Sequence, residues 1–161
     1  MNPVLRACHD LAARSRFGAL ATLARDPSGW PFVTLVAVAF DERWRPLLLL
    51  SRLAEHTKNL EESPRASLLV SAGSLGAASP GAVPSDPLAA GRMTLVGECA
   101  RGPAGEVRDG FLAAHPEAAA YADFADFAFW RIEVAHVRWV GGFGRMEWLS
   151  GAEYGAALAG S

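Results

Sequence analysis

Positive charge is in short supply in this chain. Its 161 residues carry 15 lysines and arginines against 17 aspartates and glutamates, a formal net charge of −2. Without a surplus of cations there is no long-range field to draw in a phosphate backbone, so no nucleic acid partner is expected. Long apolar runs are missing too. None reaches the roughly 18 to 20 residues a spanning helix needs, so no membrane partner is expected. The longest, around Thr34 to Phe40, is of strand length. No basic region followed by an apolar core opens the chain, so no secretory leader is read and a cytoplasmic location is expected. Cysteine is scarce: Cys8 and Cys99 stand far apart on apolar faces. They read as buried free thiols in a reducing compartment rather than as a disulfide or a metal pair. Lysine is rarer still, and the one lysine, Lys58, falls in the chemically densest stretch of the chain.

Several catalytic patterns are also missing. No serine stands in a Gly-x-Ser-x-Gly elbow, and there is no Rossmann glycine fingerprint or P-loop. Neither cysteine has a basic neighbourhood beyond His9 beside Cys8. Nucleophilic catalysis therefore has no support, and no metal site is expected.

What is present alternates between short apolar runs and turns. Asn2-Pro3 reads as an N-cap followed by proline at the first helical position, and Val4, Leu5, Cys8, Leu11 and Ala12 recur at helical spacing up to about Arg14. His9 lies beside that face and reads as a surface or rim histidine. Phe17 to Leu23 and Pro31 to Phe40 read as two strands of a hairpin joined through Asp26-Pro27-Ser28-Gly29. Pro46 to Leu50 makes a third strand of an antiparallel meander. Leu53 to Glu62 is a short helix stopped by Ser63-Pro64, and Ala66 to Ser71 is the next strand. Ala72 to Gly91, rich in Gly, Ala, Ser and Pro, is a long loop. Arg92 to Arg101 is a strand, Glu106 to Ala114 a helix, and Phe127 to Val140 one bulged strand or two. Trp148 and Leu149 close the strand region, and the tail from Gly151 has little to bury. The sum is a small, mainly β (α+β) antiparallel barrel of six or seven strands with peripheral helices.

Two clusters carry chemistry. At the turn before the short helix, Ser51, Arg52, His56, Thr57, Lys58 and Asn59 gather at a helix N-terminus. Unpaired N–H groups and a positive dipole end favour an anion there. The alternative is an ordinary surface helix with Ser51 as its cap. Downstream, Asp123 and Asp126 share a face if helical, as a cap, a metal edge or an acid pair, amid Phe124, Phe127, Phe129 and Trp130.

The run SRLAEHTKNLEESPRASLLV resembles the segment after the third strand in the pyridoxamine 5′-phosphate oxidase-like FMN-binding split barrels, nearest the HugZ and HutZ type of the haem-utilisation branch. FGALATLARDPSGWPFVTLVAVAFD, DPLAAGRMTLVGECAR and FLAAHPEAAAYADFADFAFWRIEVAHVRWVGGFGRMEWL resemble further blocks of that family in the same order. The resemblance implies a split-barrel domain over residues 1–150, a tail over 151–161, and a homodimer with its ligand site between subunits. It assigns an FMN phosphate to Ser51, Arg52, His56, Thr57 and Lys58, with Thr34 on the neighbouring strand. Flavin-binding relatives commonly carry Arg-Lys where this chain has Glu55-His56; a glutamate repels phosphate, and an ordinary histidine is mostly neutral at pH 7. In the haem-utilisation branch a histidine near the C-terminus commonly ligates haem, and here no histidine follows His136. Haem as ligand would draw on His9, His56, His115 or His136. The implied function is a flavin-dependent oxidoreductase or haem-degrading enzyme; the alternative is a non-catalytic tetrapyrrole- or protein-binding module without flavin. No residue stands out as a general acid or base; Asp126, from its acidic cluster, is the candidate polar partner to a bound ligand.

Overall fold

The computed structural model describes residues 2–73 and 86–156. Within them the chain runs α1 (Pro3–Arg14), β1 (Phe17–Leu23), β2 (Pro31–Ala37), β3 (Ala39–Phe40), β4 (Pro46–Ser51), α2 (Glu55–Glu62), β5 (Arg65–Ser71), β6 (Gly91–Arg101), α3 (Ala104–Ala114), β7 (Phe127–Gly141), β8 (Met146–Ser150) and α4 (Gly151–Gly155). Eight strands form one sheet in the order β2-β1-β5-β6-β7-β4-β3, with β8 also paired to β7. Every pairing is antiparallel. This is a split barrel with four helices around it. No described helix is long and apolar enough to cross a membrane.

The eighth strand comes from a break the sequence hid. Pro31 to Phe40 reads as one strand, yet it divides at Val38 into β2, which pairs with β1, and β3, which pairs with β4. Val38 is fully buried and its N–H reaches Arg16 O at 2.9 Å, which turns the strand out of one ladder into the other. The expected meander is broken there too: β4 lies beside β7, so α2 carries the chain across the barrel between β4 and β5.

The core follows from period-two burial. Both β1 and β5 bury alternate residues, and Leu20, Leu68, Val70, Met93, Leu95, Cys99, Ile132 and Val137 face inward in one cluster. Helix α1 covers it with Cys8, Leu11 and Ala12; Asn2 caps the helix by accepting from Val4 N at 2.9 Å. Cys8 and Cys99 are free and fully buried, and burial pushes both thiols up to about 12. A smaller cluster under α3 holds Ala39, Leu47, Val107, Phe111, Ala118 and Phe129. The register of β6 against β7 shifts between Val96 and Gly97, so Phe127 to Gly141 is one strand with a bulge. At Gly97 any side chain would run into the carbonyl oxygen of Glu133, which is why glycine stands there.

Two expectations fail on burial. His9 is no rim residue: only 8% exposed, it stacks on Trp44 and its Nε2 meets Tyr154 O at 3.0 Å. The segment after Ser150 does have something to bury. A capping box between Ser150 and Glu153 starts α4, and Tyr154 is 1% exposed in the main core. One aromatic ring outweighs the small residues around it. Of the long loop, Pro87–Ala89 form a 3-10 turn, while residues 74–85 lie outside the described ones.

Candidate functional site

The turn from β4 into α2 gathers most of the residues expected of it, but it uses them differently. The helix begins at Glu55, with Ala54 at the N-cap and no side-chain cap. Ser51 is therefore not the cap. Its hydroxyl donates to Asp126 Oδ2 at 3.0 Å and accepts from Leu53 N at 3.2 Å, holding the turn to the 123–127 segment. A second tie, Arg52 N to Asp126 O at 2.7 Å, fixes the same junction. Thr57 is 1% exposed and donates its hydroxyl to Ser51 O at 2.7 Å. Arg52 stays exposed, and Lys58 is half-buried.

Glu55 lies among cations. Its Oε1 accepts from Arg25 Nε at 3.1 Å, and its Oε2 lies 3.9 Å from Lys58 Nζ. At the first turn of α2 its charge also suits the helix dipole. Arg25 comes from the β1–β2 hairpin, whose position Asn59 fixes: Asn59 Oδ1 accepts from Arg25 N at 3.0 Å and its Nδ2 donates to Thr22 Oγ1 at 3.0 Å. Sequence reading missed Arg25, and it placed Asn59 at the turn but missed its contacts. Nothing local marks them, since the contacts span 30 and 34 residues.

His56 and Thr34 are brought together. Nδ1 of His56 lies 2.9 Å from Thr34 Oγ1 on the inward side of β2. Burial lowers the pKa of His56 below its ordinary value, because the imidazolium loses water it cannot replace, so the ring is neutral at pH 7. Its Nε2 has no partner among the described residues.

The acidic cluster does not form an acid pair. Residues 121–126 are turns, not a helix, which sends the two aspartates apart. Asp123 takes Arg108 through two bonds of 2.9 and 3.2 Å, and Asp126 takes Ser51. Phe129 and Trp130 are buried, Phe124 is 57% exposed, and Phe127 lines a cleft of about 360 Å³ with Arg101, Arg108 and Phe124. No group of three or more histidines, cysteines or acids able to hold a metal ion occurs among the described residues.

The remaining histidines differ. His115 is 3% exposed, stacks on Phe111, and has Nε2 at 2.9 Å from Val38 O and Nδ1 at 3.2 Å from Glu117. His136 is exposed on the outer side of β7, opposite Val96 and Ser150, with no partner among the described residues.

The CREG β-barrel family model matches residues 5–156. This chain belongs to the CREG β-barrel family. The chain is also similar to the non-canonical haem oxygenase HOZ, chloroplastic, of Arabidopsis thaliana, 36% identical over 128 residues. That alignment takes in 78% of this chain and 36% of the relative. A haem-binding protein from Mycobacterium smegmatis superposes with a TM-score of 0.84 at 36% identity, over 97% of this chain and 61% of that one. HutZ, the haem storage protein of Vibrio cholerae, shares the fold at a TM-score of 0.61 and 18% identity, over 80% of this chain and 88% of that one. The chain thus spans about a third and three-fifths of the lengths of the first two relatives. A protein of the pyridoxinephosphate oxidase family from Clostridium acetobutylicum shares the fold at a TM-score of 0.67 and 11% identity, over 93% of this chain and 96% of that one, a split barrel as the resemblance in sequence implied.

Proposed function

We propose that this chain is a haem-binding split-barrel protein that acts as a homodimer, with its site at the β4–α2 turn. The observation that carries the reading is the charge of that turn. Glu55 and Asp126 put two carboxylates beside it, His56 is neutral, and the Thr57 hydroxyl donates inward. A doubly charged phosphate is poorly served there, whereas a neutral imidazole suits a haem iron. The donor set fits the group. Arg52, exposed and paired with no described carboxylate, can meet a propionate, and Leu53, 71% exposed, offers apolar contact. Bound haem would supply the electron and oxygen chemistry. The chain's residues would bind, orient and shield it. The names of two relatives 36% identical to this chain, a haem oxygenase and a haem-binding protein, support the same reading.

The dimer would use the outer face of the sheet. Across six strands the paired residues there run Leu35, Ala19, Leu69, Thr94, Arg138, Trp148. Val33, Leu35, Met146 and Trp148 on this face are each about 60% exposed. Small residues between large apolar ones, with Arg138 the one charge and no carboxylate in the row, make a surface that a second copy can cover.

A second reading keeps FMN and a flavin-dependent oxidoreductase activity, favoured by the three cations around the turn. Parallel titrations with haemin and with FMN, together with light scattering for mass, separate the two. The haem reading expects one haemin per chain, no retained FMN and a dimer. A yellow protein that binds FMN and ignores haemin would overturn it.

A further inference from the structure

The haem reading leaves open which side chain meets the iron, and the structure narrows four histidines to one. His115 directs Nε2 at the Val38 carbonyl, which can only accept, so that nitrogen carries a proton. Its ring is packed on Phe111 at 4.8 Å between centroids and is 3% exposed. His9 likewise donates Nε2–H to Tyr154 O and is stacked 4.5 Å from Trp44, 8% exposed. Neither ring can reach a ligand without opening the core. His136 has the opposite defect. It is exposed, no described side chain orients it, and it lies on the sheet face assigned above to the second copy.

His56 alone is both held and open. Thr34 Oγ1 grips Nδ1 at 2.9 Å, while Nε2 is without a partner among the described residues and the ring is partly exposed. We propose that His56 would hold the iron of a bound haem through Nε2, and that Thr34 is the positioning residue that accepts Nδ1–H and fixes the ring. The arrangement is the usual one for a ligating imidazole, whose other nitrogen donates to an oxygen that sets tautomer and orientation. Arg52, the exposed cation next to the turn, is the nearest candidate in sequence to pair with a carboxylate of the tetrapyrrole. The inference rests on the haem reading and adds to it the residue and its support.

Haemin titration of the full chain, followed by Soret position and by electron paramagnetic resonance of the ferric form, tests it. His56→Ala is expected to move the Soret band, change the ferric signal and weaken haemin by more than about 10-fold, because losing a ligand costs at least what losing its support does. Thr34→Val is expected to weaken haemin by about 10-fold while keeping a histidine-ligated signal. His136→Ala is expected to leave both readouts unchanged. Added imidazole should restore the ferric signal of His56→Ala, and an unchanged circular dichroism spectrum shows that the variant is folded. A His56→Ala protein with the wild-type Soret band and ferric signal overturns the assignment, as does loss of both in His136→Ala alone. A wild-type chain that takes up no haemin overturns the haem reading itself.

Discussion

Two corners of this molecule each hold a histidine, and they handle it in opposite ways. Below α3, His115 is closed in: one nitrogen faces a backbone carbonyl, the other a carboxylate, and the ring lies on Phe111. At the β4–α2 turn, His56 is fixed through one nitrogen by Thr34 and open at the other. The first is a side chain whose polar atoms exist to be satisfied within the core. The second is anchored yet still has a coordination position to offer. Histidine content could not separate them; only the count of engaged ring nitrogens does.

The largest expected effect comes from breaking the closed corner. Phe111→Ala removes the ring that His115 and Phe129 pack against, and should lower the unfolding free energy by about 3–5 kcal/mol in urea denaturation. His115→Ala leaves the Val38 carbonyl without its donor and should cost about 1–3 kcal/mol by the same measurement. His56→Ala, by contrast, should stay within about 0.5–1 kcal/mol of wild type, because its ring is partly exposed; a loss equal to that of His115→Ala would erase the contrast between the corners. Smallest of all is Glu55→Gln. Its ion pairs are about 40% exposed and screened, so stability should change by less than about 0.5–1 kcal/mol. The variant should nevertheless bind FMN more tightly than wild type in a fluorescence-quenching titration, since Arg25 and Lys58 lose their carboxylate. No gain in affinity would show that charge is not what disfavours phosphate at the turn.

Much of the scaffold was legible in the sequence because it rests on local rules. Asn2-Pro3 and the spacing of Leu5, Cys8 and Leu11 give α1, short apolar runs give β1 and β5, and alternation gives β6. The failures were all long-range. Whether Pro31 to Phe40 stays in one ladder depends on Arg16 O holding Val38 N, and whether His9 and Tyr154 are buried depends on each other, 145 residues apart. At the turn, the residue types were legible and their directions were not. Ser51 stood open between an anion donor and a cap, and its hydroxyl bridges to Asp126, 75 residues away; the hydroxyl of Thr57, which the resemblance assigned to a phosphate, donates to Ser51 O. A helical wheel places a side chain on a face; it cannot say which distant carboxylate or carbonyl waits there.

The contrast between the two imidazoles can be measured without any ligand. Long-range nitrogen–proton NMR correlation of the histidine rings at neutral pH reports which nitrogens carry protons. The account predicts Nδ1 protonated and Nε2 bare in His56, and Nε2 protonated in His115. A protonated Nε2 in His56 would contradict it, for the coordination position on which the site depends would then be closed.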